Sequence, residues 1–472
     1  MTKLSADICI IGAGSGGLSL AAGAAQMGAR VVLVEGAEMG GDCLNTGCVP
    51  SKALLAAAKS AQVLRNGAQF GLAAGEPEID FAAVKDHVAG VIAAIAPHDS
   101  QQRFEGLGVT VLRAWARFAG PDEVEAGGQT IRARRFVIAT GSHAAIPPIP
   151  GLDEVPYLTN ETIFDLRDRP EHLLILGGGP IGMELAQAHR RLGCRVTVVE
   201  AARALGRDDL DCAAVILGIL RDEGVEILEG QGVARLRKQN GGVEAVLADG
   251  TVVTGSHLLV AAGRKPALER LNLDAAGVAY THKGVTVGAN LRSVSNRRVY
   301  AMGDAAGGLQ FTHVAGAHAG VLIRQILLGL PAKAATLVPW VTYTEPELAQ
   351  VGLTEAEARK AHGDKLTVLR ADFGGNDRAI AERKAKGLVK VMVVRGRPVG
   401  ASIAGPQAGE LIGFWTLAIA TRVKIGTLAG LVLPYPTLGE TAKRAAGAYF
   451  SAKLFDNPVL KRVIRLVQRL VP

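Results

Sequence analysis

Two cysteines five positions apart, Cys43 and Cys48, are the residues of this sequence best suited to redox chemistry. They lie in the segment GGDCLNTGCVPSKALLAAAK. In a regular helix, Cα atoms five residues apart are about 8–9 Å from each other, which exceeds the roughly 7 Å limit for a disulfide. A bridge therefore requires a distorted backbone, and Asn45 and Gly47 are residue types that permit one. We expect a strained, reducible disulfide, with two free buried thiols as the alternative.

The residues after this pair predict a helix that activates a thiol at its start. An Ala- and Leu-rich stretch runs on from about Val49, and Pro50 suits a first helical turn. The partial positive charge at a helix N-terminus lowers the pKa of a nearby thiol. The other cysteines, Cys9, Cys194 and Cys212, lie on or beside apolar runs, so we expect them in the core.

An internal repeat supplies two candidate nucleotide-binding elements. Residues 7–35 and 172–200 align without a gap at an offset of 165 residues. Each copy reads as an apolar strand, a Gly-x-Gly-x-x-Gly turn, a helix and a second strand that ends in Glu. The first glycine allows a tight turn, the second admits a pyrophosphate, and the third lets the helix pack on the sheet. These glycines are Gly12, Gly14 and Gly17 in the first copy and Gly177, Gly179 and Gly182 in the second.

The two copies predict two dinucleotides, a flavin and a nicotinamide. Each helix directs its free N–H groups at phosphates, and Glu35 and Glu200 can accept hydrogen bonds from ribose hydroxyls. Glu200 favours NAD because a carboxylate repels a 2′-phosphate. Arg203 and Arg207 follow closely and could bind that phosphate, so NADP stays an alternative.

Charge and composition disfavour several classes of function. A formal net charge of +8 over 472 residues, with 4% aromatic residues, argues against nucleic-acid binding. Five cysteines are too sparse, and odd in number, for a secreted disulfide framework. The sequence has neither a signal-peptide core at its start nor an uncharged apolar run of about 20 residues. We therefore expect a cytoplasmic protein.

Five further segments carry a resemblance to a known family. They are RRFVIATGS (134–142), LVAAGRKPALERLNL (259–273), VYAMGDAAG (299–307), VTYTEPELAQVGLTEAEA (341–358) and GASIAGPQAGELI (400–412). Together with the cysteine segment they resemble the class I pyridine nucleotide-disulfide oxidoreductases, which include dihydrolipoamide dehydrogenase, glutathione reductase and mercuric reductase. The resemblance covers essentially the whole chain.

The resemblance implies roles by position. Cys43 would be the interchange thiol that attacks the substrate, and Cys48 the charge-transfer thiolate against the flavin of FAD. Lys52 would lie near flavin N5 and pair with Glu184. Asp304 would bind the ribityl or pyrophosphate region of the flavin. For Lys52 and Asp304 the alternatives are a solvated helix lysine and a turn residue.

Four more cofactor contacts follow from the same resemblance. Thr140 and Gly141 belong to one FAD segment, and Gly263 to the exit of the nicotinamide domain. His313 would lie near the pyrimidine end of the flavin, with a plain helix-start residue as the alternative.

The segment from Tyr435 to Glu440 departs from the family pattern. Disulfide reductases and lipoamide dehydrogenases carry His-Pro-Thr-x-x-Glu there, contributed across a dimer, whereas this sequence has Tyr435 in place of the acid-base His. An unperturbed Tyr has a pKa near 10 against about 6.5 for His, so the phenol is a poor proton shuttle at pH 7. Mercuric reductase also has Tyr there but requires a C-terminal vicinal Cys pair, and no Cys follows Cys212. A packed interface aromatic is the alternative for Tyr435.

The tail of the sequence predicts an amphipathic helix. One face carries Val459, Val463, Leu466 and Leu470, and the basic residues Lys461, Arg462, Arg465 and Arg469 lie largely elsewhere. Contact with an anionic membrane surface is one interpretation. Docking on its own domain is the preferred one.

These features predict an α/β protein with two Rossmann-like dinucleotide-binding domains and a C-terminal α+β dimerisation domain. The FAD domain would take residues 1–147 and 270–337, the NAD(P) domain 148–269, and the dimerisation domain 338–472. The predicted function is a homodimeric, FAD-dependent NAD(P)H oxidoreductase for a small disulfide or dithiol, similar to dihydrolipoamide dehydrogenase, and no metal site is predicted. The alternatives are a metal-ion or quinone reductase and a non-catalytic flavin-bound redox sensor.

Overall fold

In a computed structural model, which describes residues 2–73, 75–239 and 241–471, the chain divides into two compact units. Unit 1 comprises Met1–Gly178, Ala188–Ala201 and Gln231–Thr336. Unit 2 comprises Gly179–Gln187, Ala202–Gly230 and Leu337–Pro472. The α/β class is confirmed, while the domain boundaries given above stay predictions.

Strands and helices follow one another along the whole chain. The elements up to residue 144 are β1 (Thr2–Ile11), α1 (Ser15–Gln26), β2 (Val31–Glu35), α2 (Gly41–Asn45), α3 (Cys48–Arg65), α4 (Phe81–Ile95), α5 (Gln101–Gly106), β3 (Thr110–Arg113), β4 (Ala116–Gly120), β5 (Glu123–Ala126), β6 (Gln129–Ile138) and β7 (Ser142–Ala144). The elements from residue 172 to 326 are β8 (His172–Leu176), α6 (Pro180–Arg191), β9 (Arg195–Glu200), α7 (Leu210–Asp222), β10 (Val225–Glu229), β11 (Val233–Gln239), β12 (Gly242–Leu247), β13 (Val252–Gly255), β14 (His257–Val260), β15 (Arg264–Pro266), β16 (Tyr280–Thr281), β17 (Gly284–Val285), β18 (Val299–Ala301) and α8 (Thr312–Ile326). The remaining elements are β19 (Trp340–Thr342), β20 (Glu347–Gly352), α9 (Glu355–His362), β21 (Leu366–Asp372), α10 (Asp377–Ala381), β22 (Leu388–Val394), β23 (Arg397–Gly405), α11 (Ala408–Ala420), α12 (Ile425–Ala429), α13 (Glu440–Phe455) and α14 (Pro458–Leu470).

The first copy of the repeat forms the centre of a parallel sheet in unit 1. Strand β1 pairs in parallel with β2 and β6, β2 pairs with β3, and β6 also pairs with β18. The antiparallel strands β4 and β5 extend the sheet beyond β6. Both faces of β1 are covered, which explains its unbroken apolar run from Ile8 to Ile11. Cys9 is fully buried in this core, as predicted.

The second copy forms another parallel arrangement, in which β8 lies between β9 and β14. The chain enters and leaves this region at neighbouring points of unit 1. Strand β7 pairs antiparallel with β15, with Ala144 opposite Arg264. The backbone N–H of Ala145 donates to the carbonyl oxygen of Gly263 at 2.9 Å.

Unit 2 contains a five-stranded antiparallel sheet in the order β19-β20-β23-β22-β21. Its core includes Phe373 and Trp415, both fully buried. Trp415 lies on α11, a partly buried helix that includes the apolar residues 411–420. Among the described residues, no helix is long and apolar enough to cross a membrane.

Helix α14 differs from the other long helices because none of its residues is buried. Asn457 begins it, accepting hydrogen bonds from the backbone N–H groups of Val459 and Leu460. The predicted docking of this helix on its own domain is wrong for the single chain, since both its faces are accessible.

Candidate active site

The helical backbone of the cysteine segment is interrupted at Gly47. Helix α2 ends at Asn45 and α3 begins at Cys48, one residue before the predicted start. The Asn45 amide donates to the carbonyl oxygens of Met39 and Gly41 at 3.0 and 2.9 Å, which holds the end of α2. A Cβ at Gly47 would lie 2.8 Å from the carbonyl oxygen of Asp42. The predicted distortion is therefore present, and only glycine fits its turning point.

The two cysteines are free thiols that form a hydrogen-bonded pair. The hydrogen bond from Cys43 is the largest cause that lowers the pKa of Cys48, to about 6. The hydroxyl of Thr312 lies 3.3 Å from Cys48 Sγ and, with the charge of Lys52, lowers this pKa further. The same pairing raises the pKa of Cys43, and burial adds to the effect. The structure therefore makes Cys48 the thiolate at neutral pH.

Two elements far apart in the sequence support this thiolate. Cys48 is the first residue of α3, where the helix dipole favours a negative charge. Thr312 is the first residue of α8. Lys52 follows Cys48 by four residues, on the same side of α3. The predicted contact of Lys52 with flavin stays a prediction.

Removing the Thr312 hydroxyl should raise the pKa of Cys48. Hydrogen bonds to charged groups contribute about 1.5–3 kcal/mol, so Thr312→Val should move the titration of the reduced protein by roughly one pH unit upward. Because the folded pKa is depressed, the thiolate fraction of the wild type is lost only as the pH falls through about 6, and the variant should lose it at higher pH. Thiolate absorbance against pH measures this shift. Thr421→Val, at an exposed hydroxyl of α11's C-terminal end, is the matched control, and identical titrations of all three proteins would contradict the assignment.

A chain of polar contacts joins the cysteine segment to Asp304. Asp42 forms an ion pair with Arg264 at 3.1 Å. Arg264 Nε donates to the Ser142 hydroxyl at 2.8 Å, and that hydroxyl donates to Asp304 at 2.5 Å. Burial raises the pKa of Asp304, opposed by the hydrogen bond from Ser142 and by the charge of Arg264. Sequence reasoning missed Asp42, Ser142, Arg264 and Thr312, because their partners are not near in sequence.

The first glycine turn has the shape that a pyrophosphate requires. Gly12 has φ +110°, and a Cβ there would lie 2.4 Å from the carbonyl oxygen of Ala139. A Cβ at Gly17 would lie 1.9 Å from the carbonyl oxygen of Gly12. Gly14, by contrast, has no atom within 4 Å of the corresponding point, so its surface is open to a ligand.

Further polar groups beside this turn fit FAD. Glu35 accepts a hydrogen bond from the backbone N–H of Ala13 at 2.6 Å, which orders the turn and leaves lone pairs for a ribose. The Thr140 hydroxyl is buried, and within the described parts of the chain it has no hydrogen-bond partner. A cofactor atom would satisfy it. Gly141, the next residue, has φ +68°.

The second glycine turn repeats these features. Gly177 has φ +114°, with a Cβ position 2.4 Å from the carbonyl oxygen of Ala261, and the Cβ position of Gly179 is open. Glu200 accepts from the backbone N–H of Gly178 at 2.7 Å, the counterpart of the bond between Glu35 and Ala13. Gly182 lies in the first half of α6.

The surroundings of the other predicted site residues do not assign their roles. His313 follows Thr312 in α8, and its ring stacks on Phe311 with 5.2 Å between centroids. Gly263 has φ +129° and an open Cβ position. Glu184 is buried and accepts from the backbone N–H of Tyr343 at 2.8 Å. The pairing of Lys52 with Glu184 and the flavin contact of His313 stay predictions.

Tyr435 is exposed and is held by a carboxylate. Its hydroxyl donates to Asp377 at 2.7 Å, and this hydrogen bond raises the pKa of the phenol above its usual value. Glu440 begins α13 and accepts from the backbone N–H of Thr437 at 3.4 Å. The phenol of Tyr435 is therefore protonated at neutral pH, and its catalytic role stays a prediction.

Comparison with known protein families accounts for most of the chain. The family model described as pyridine nucleotide-disulphide oxidoreductase matches residues 6–319, and the model of its dimerisation domain matches residues 338–446. The chain belongs to this family. Pyridine nucleotide-disulphide oxidoreductases depend on FAD and use NAD(P)H, and the glycine turns, Thr140 and the free thiols fit that chemistry. The predicted resemblance is thus confirmed.

The relatives within the family differ in substrate. A mercuric reductase of Streptomyces lividans is 37% identical over 463 residues, which cover 94% of this chain and 96% of that protein. A dihydrolipoyl dehydrogenase of Thermus scotoductus is 38% identical over 458 residues, with 94% and 97% covered. The solved structure of the HOCl-induced flavoprotein disulfide reductase RclA of Escherichia coli matches with TM-score 0.84 and 28% identity, over 93% of this chain and 99% of that one.

Proposed function

We propose that this protein is an NAD(P)H-dependent flavoprotein reductase whose cysteine pair passes electrons to a small-molecule disulfide. The observation that carries the proposal is the Cys48 thiol, with its pKa lowered to about 6, in a hydrogen-bonded pair with Cys43. Bound FAD would supply the electron transfer between the nicotinamide and this pair. Gly14, Thr140, Glu35 and Asp304 are proposed to hold FAD, and Gly179 and Glu200 the nicotinamide dinucleotide.

The thiols would carry out two exchanges. Cys43, once deprotonated, attacks one sulfur of the substrate disulfide, forms a mixed disulfide and releases the first thiol. The Cys48 thiolate then attacks the Cys43 sulfur, forms the Cys43–Cys48 bond and releases the second thiol. The pair loses two electrons and the substrate gains them. Because Cys48 is already a thiolate, the Cys43 thiol supplies one of the two protons that the product thiols take up, and solvent supplies the other. Lys52 and Thr312 keep Cys48 ready for the second step.

Tyr435 is better suited to the reductive direction of turnover than to the oxidative one. In the reductive direction, its hydroxyl can donate a hydrogen bond to a leaving thiolate, and Asp377 holds that hydroxyl in place. In dihydrolipoamide oxidation, by contrast, a base must remove protons from the substrate, and a phenol with a raised pKa does this poorly. We propose a homodimer in which Tyr435 and Glu440 act on the partner's cysteine pair, because the dimerisation-domain match includes both residues.

Changing Tyr435 should alter the kinetics with dithiol substrates. General acid-base catalysis contributes about 10²–10⁴-fold, so Tyr435→His should raise dihydrolipoamide oxidation by about tenfold or more. Tyr435→Phe should lower disulfide reduction, since the donor is lost. Steady-state turnover with both substrates measures the two effects. The proposal fails if the wild type oxidises dihydrolipoamide as fast as Tyr435→His does, or if both variants behave like the wild type. Tyr280→Phe, at an exposed tyrosine of unit 1, is the matched control.

Glu200 should make NADH the better donor. A like-charged pair costs several kcal/mol at close range, so kcat/KM for NADH should exceed that for NADPH by at least about tenfold. Glu200→Ala should lower the ratio of kcat/KM for NADH to kcat/KM for NADPH, although it also removes the hydrogen bond from the backbone N–H of Gly178. Arg203→Gln together with Arg207→Gln should lower kcat/KM for NADPH only. Equal use of both donors by the wild type would count against the role of Glu200.

A soft metal ion is the second candidate for the acceptor. Thiolates bind such ions, and the mercuric reductase of Streptomyces lividans aligns over nearly its full length. An anaerobic panel of NADH turnover with disulfides, quinones and mercuric ion would separate the candidates. Turnover with a disulfide alone supports the proposal, whereas turnover with mercuric ion or quinone alone contradicts it. No steady-state turnover with any acceptor would indicate a redox sensor.

A further inference from the structure

Helix α14 is amphipathic and strongly basic. At about 100° per residue, its apolar side chains fall within an arc of about 160° and its cations within about 100° on the other side. The apolar side chains are Val459, Leu460, Val463, Ile464, Leu466, Val467 and Leu470. The cations are Lys461, Arg462, Arg465 and Arg469, and the helix contains no Asp or Glu.

The apolar face of α14 is not covered by those parts of the chain that the structure describes. Apart from the half-buried Leu460, its apolar residues are each between 44% and 72% exposed. Single exposed apolar residues are common on proteins, but a contiguous apolar face marks an interaction site. The last residues of α13 before it, Leu454 and Phe455, are 48% and 68% exposed and extend the apolar surface. The family's dimerisation model ends at residue 446, so α14 lies beyond the part that the family model describes.

Capping residues in its own sequence define where α14 begins. Asn457 caps its first turn through two backbone N–H groups, and Pro458 occupies the first helical position. Over 13 residues the helix is about 20 Å long. Such a helix can lie flat on a surface without support from the domain.

The charge of α14 indicates which kind of partner its apolar face binds. In the proposed homodimer the partner presents the same basic helix, so two α14 helices would repel each other. Nucleic acid would attract the cations but offers no apolar surface to the seven aliphatic side chains. An anionic lipid surface satisfies both faces, because acyl chains take the apolar side and headgroups pair with Lys and Arg.

We propose that α14 docks this protein on anionic membrane surfaces, with the apolar face inserted at the headgroup boundary and the four cations directed to lipid phosphates. This inference is independent of which acceptor the cysteine pair reduces. It concerns binding at a surface, since no described helix can cross a membrane.

Vesicle sedimentation with the full chain tests the proposal. The wild type should sediment with vesicles of phosphatidylcholine and phosphatidylglycerol, and much less with phosphatidylcholine alone. Leu466→Asp should abolish sedimentation because it places a charge in the apolar face. Each Lys or Arg near an anionic leaflet changes binding by about fivefold, so Arg462→Gln with Arg465→Gln should weaken it by about tenfold or more. NADH turnover with a soluble acceptor should not change in either variant.

A second double variant removes the same number of cations elsewhere on the chain. It distinguishes vesicle binding by α14 from binding by a generally basic surface. Arg297→Gln with Arg298→Gln removes two exposed cations of unit 1 and should leave vesicle binding unchanged. Equal loss of binding in the two double variants would overturn the proposal, as would equal binding to neutral vesicles. A change of oligomeric state in Leu466→Asp, measured by sedimentation velocity, would also overturn it, because α14 would then bind a second copy.

Discussion

Cys48→Ser is expected to abolish NADH-driven disulfide reduction, with a loss of about 10³-fold or more. Serine keeps the shape of the side chain, but its hydroxyl cannot form the sulfur–sulfur bond that releases the second product thiol. The substrate would remain attached to Cys43. Turnover under anaerobic conditions measures the loss, and mass spectrometry of the quenched protein detects the trapped mixed disulfide. Retention of more than a tenth of the wild-type rate would contradict the role of the pair.

Cys43→Ser distinguishes the two thiols. It should also abolish disulfide reduction, but it keeps the Cys48 thiolate, so its purified, FAD-containing form should show a long-wavelength charge-transfer absorbance without added reductant. Cys48→Ser should lack this absorbance in every redox state. If the band survives in Cys48→Ser, the two assignments must be exchanged. Cys212→Ala is the control, because burial raises the pKa of that thiol well above its usual value and keeps it inert.

Gly17→Ala is expected to prevent FAD binding and to destabilise the chain. A Cβ there would lie 1.9 Å from the carbonyl oxygen of Gly12, so the turn or the helix must move. Overpacking costs about 1–3 kcal/mol, and a backbone oxygen cannot yield as a side chain does, so we expect a loss of about 3 kcal/mol or more. The free energy of unfolding and the flavin content per chain are the two measurements.

Gly14→Ala distinguishes an effect on FAD binding from an effect on the stability of the fold. No atom of the chain lies within 4 Å of the new Cβ, so the protein stripped of FAD should unfold within about 1 kcal/mol of the wild type, the scale of a changed helix cap. Its FAD affinity should nevertheless fall by about tenfold or more, because the methyl group occupies the space reserved for a phosphate. Gly90→Ala, inside α4 with the same open surroundings, should leave the FAD affinity unchanged and stabilise the chain by up to about 1 kcal/mol through helix propensity. Undiminished FAD affinity in Gly14→Ala would exclude the first turn as the flavin site.

Local patterns in the sequence were sufficient to predict the turns and helices that surround the site. The repeat predicted both glycine turns because each requirement, a tight turn, an open approach and a close helix contact, falls on a fixed position. Even the bond from Glu35 to the turn recurs at Glu200, since the same spacing produces the same geometry. The break in the cysteine segment was predictable from Gly47 for the same reason.

Contacts between distant segments could not be predicted in this way. Thr312 reaches Cys48 across 264 residues of sequence, and nothing in its own neighbourhood identifies it as a thiol partner. Asp377 is equally hidden as the partner of Tyr435. Helix α14 shows the opposite error. Its pattern was interpreted by the usual rule that an apolar face packs on its own domain, but none of its described residues is buried.

The antiparallel pair of β7 and β15 has a further consequence for engineering this chain. Because Ala144 and Arg264 are partners in one ladder, the segment between them begins and ends at neighbouring points. The long segment between them could therefore be removed without changing the order of the remaining strands. The hydrogen bond between Ala145 and Gly263 joins its two ends, which we call the neck. A tight turn of a few residues could seal that neck without rerouting any strand of the remaining sheet. The same two positions are therefore where the segment between them could be shortened or exchanged in an engineered chain.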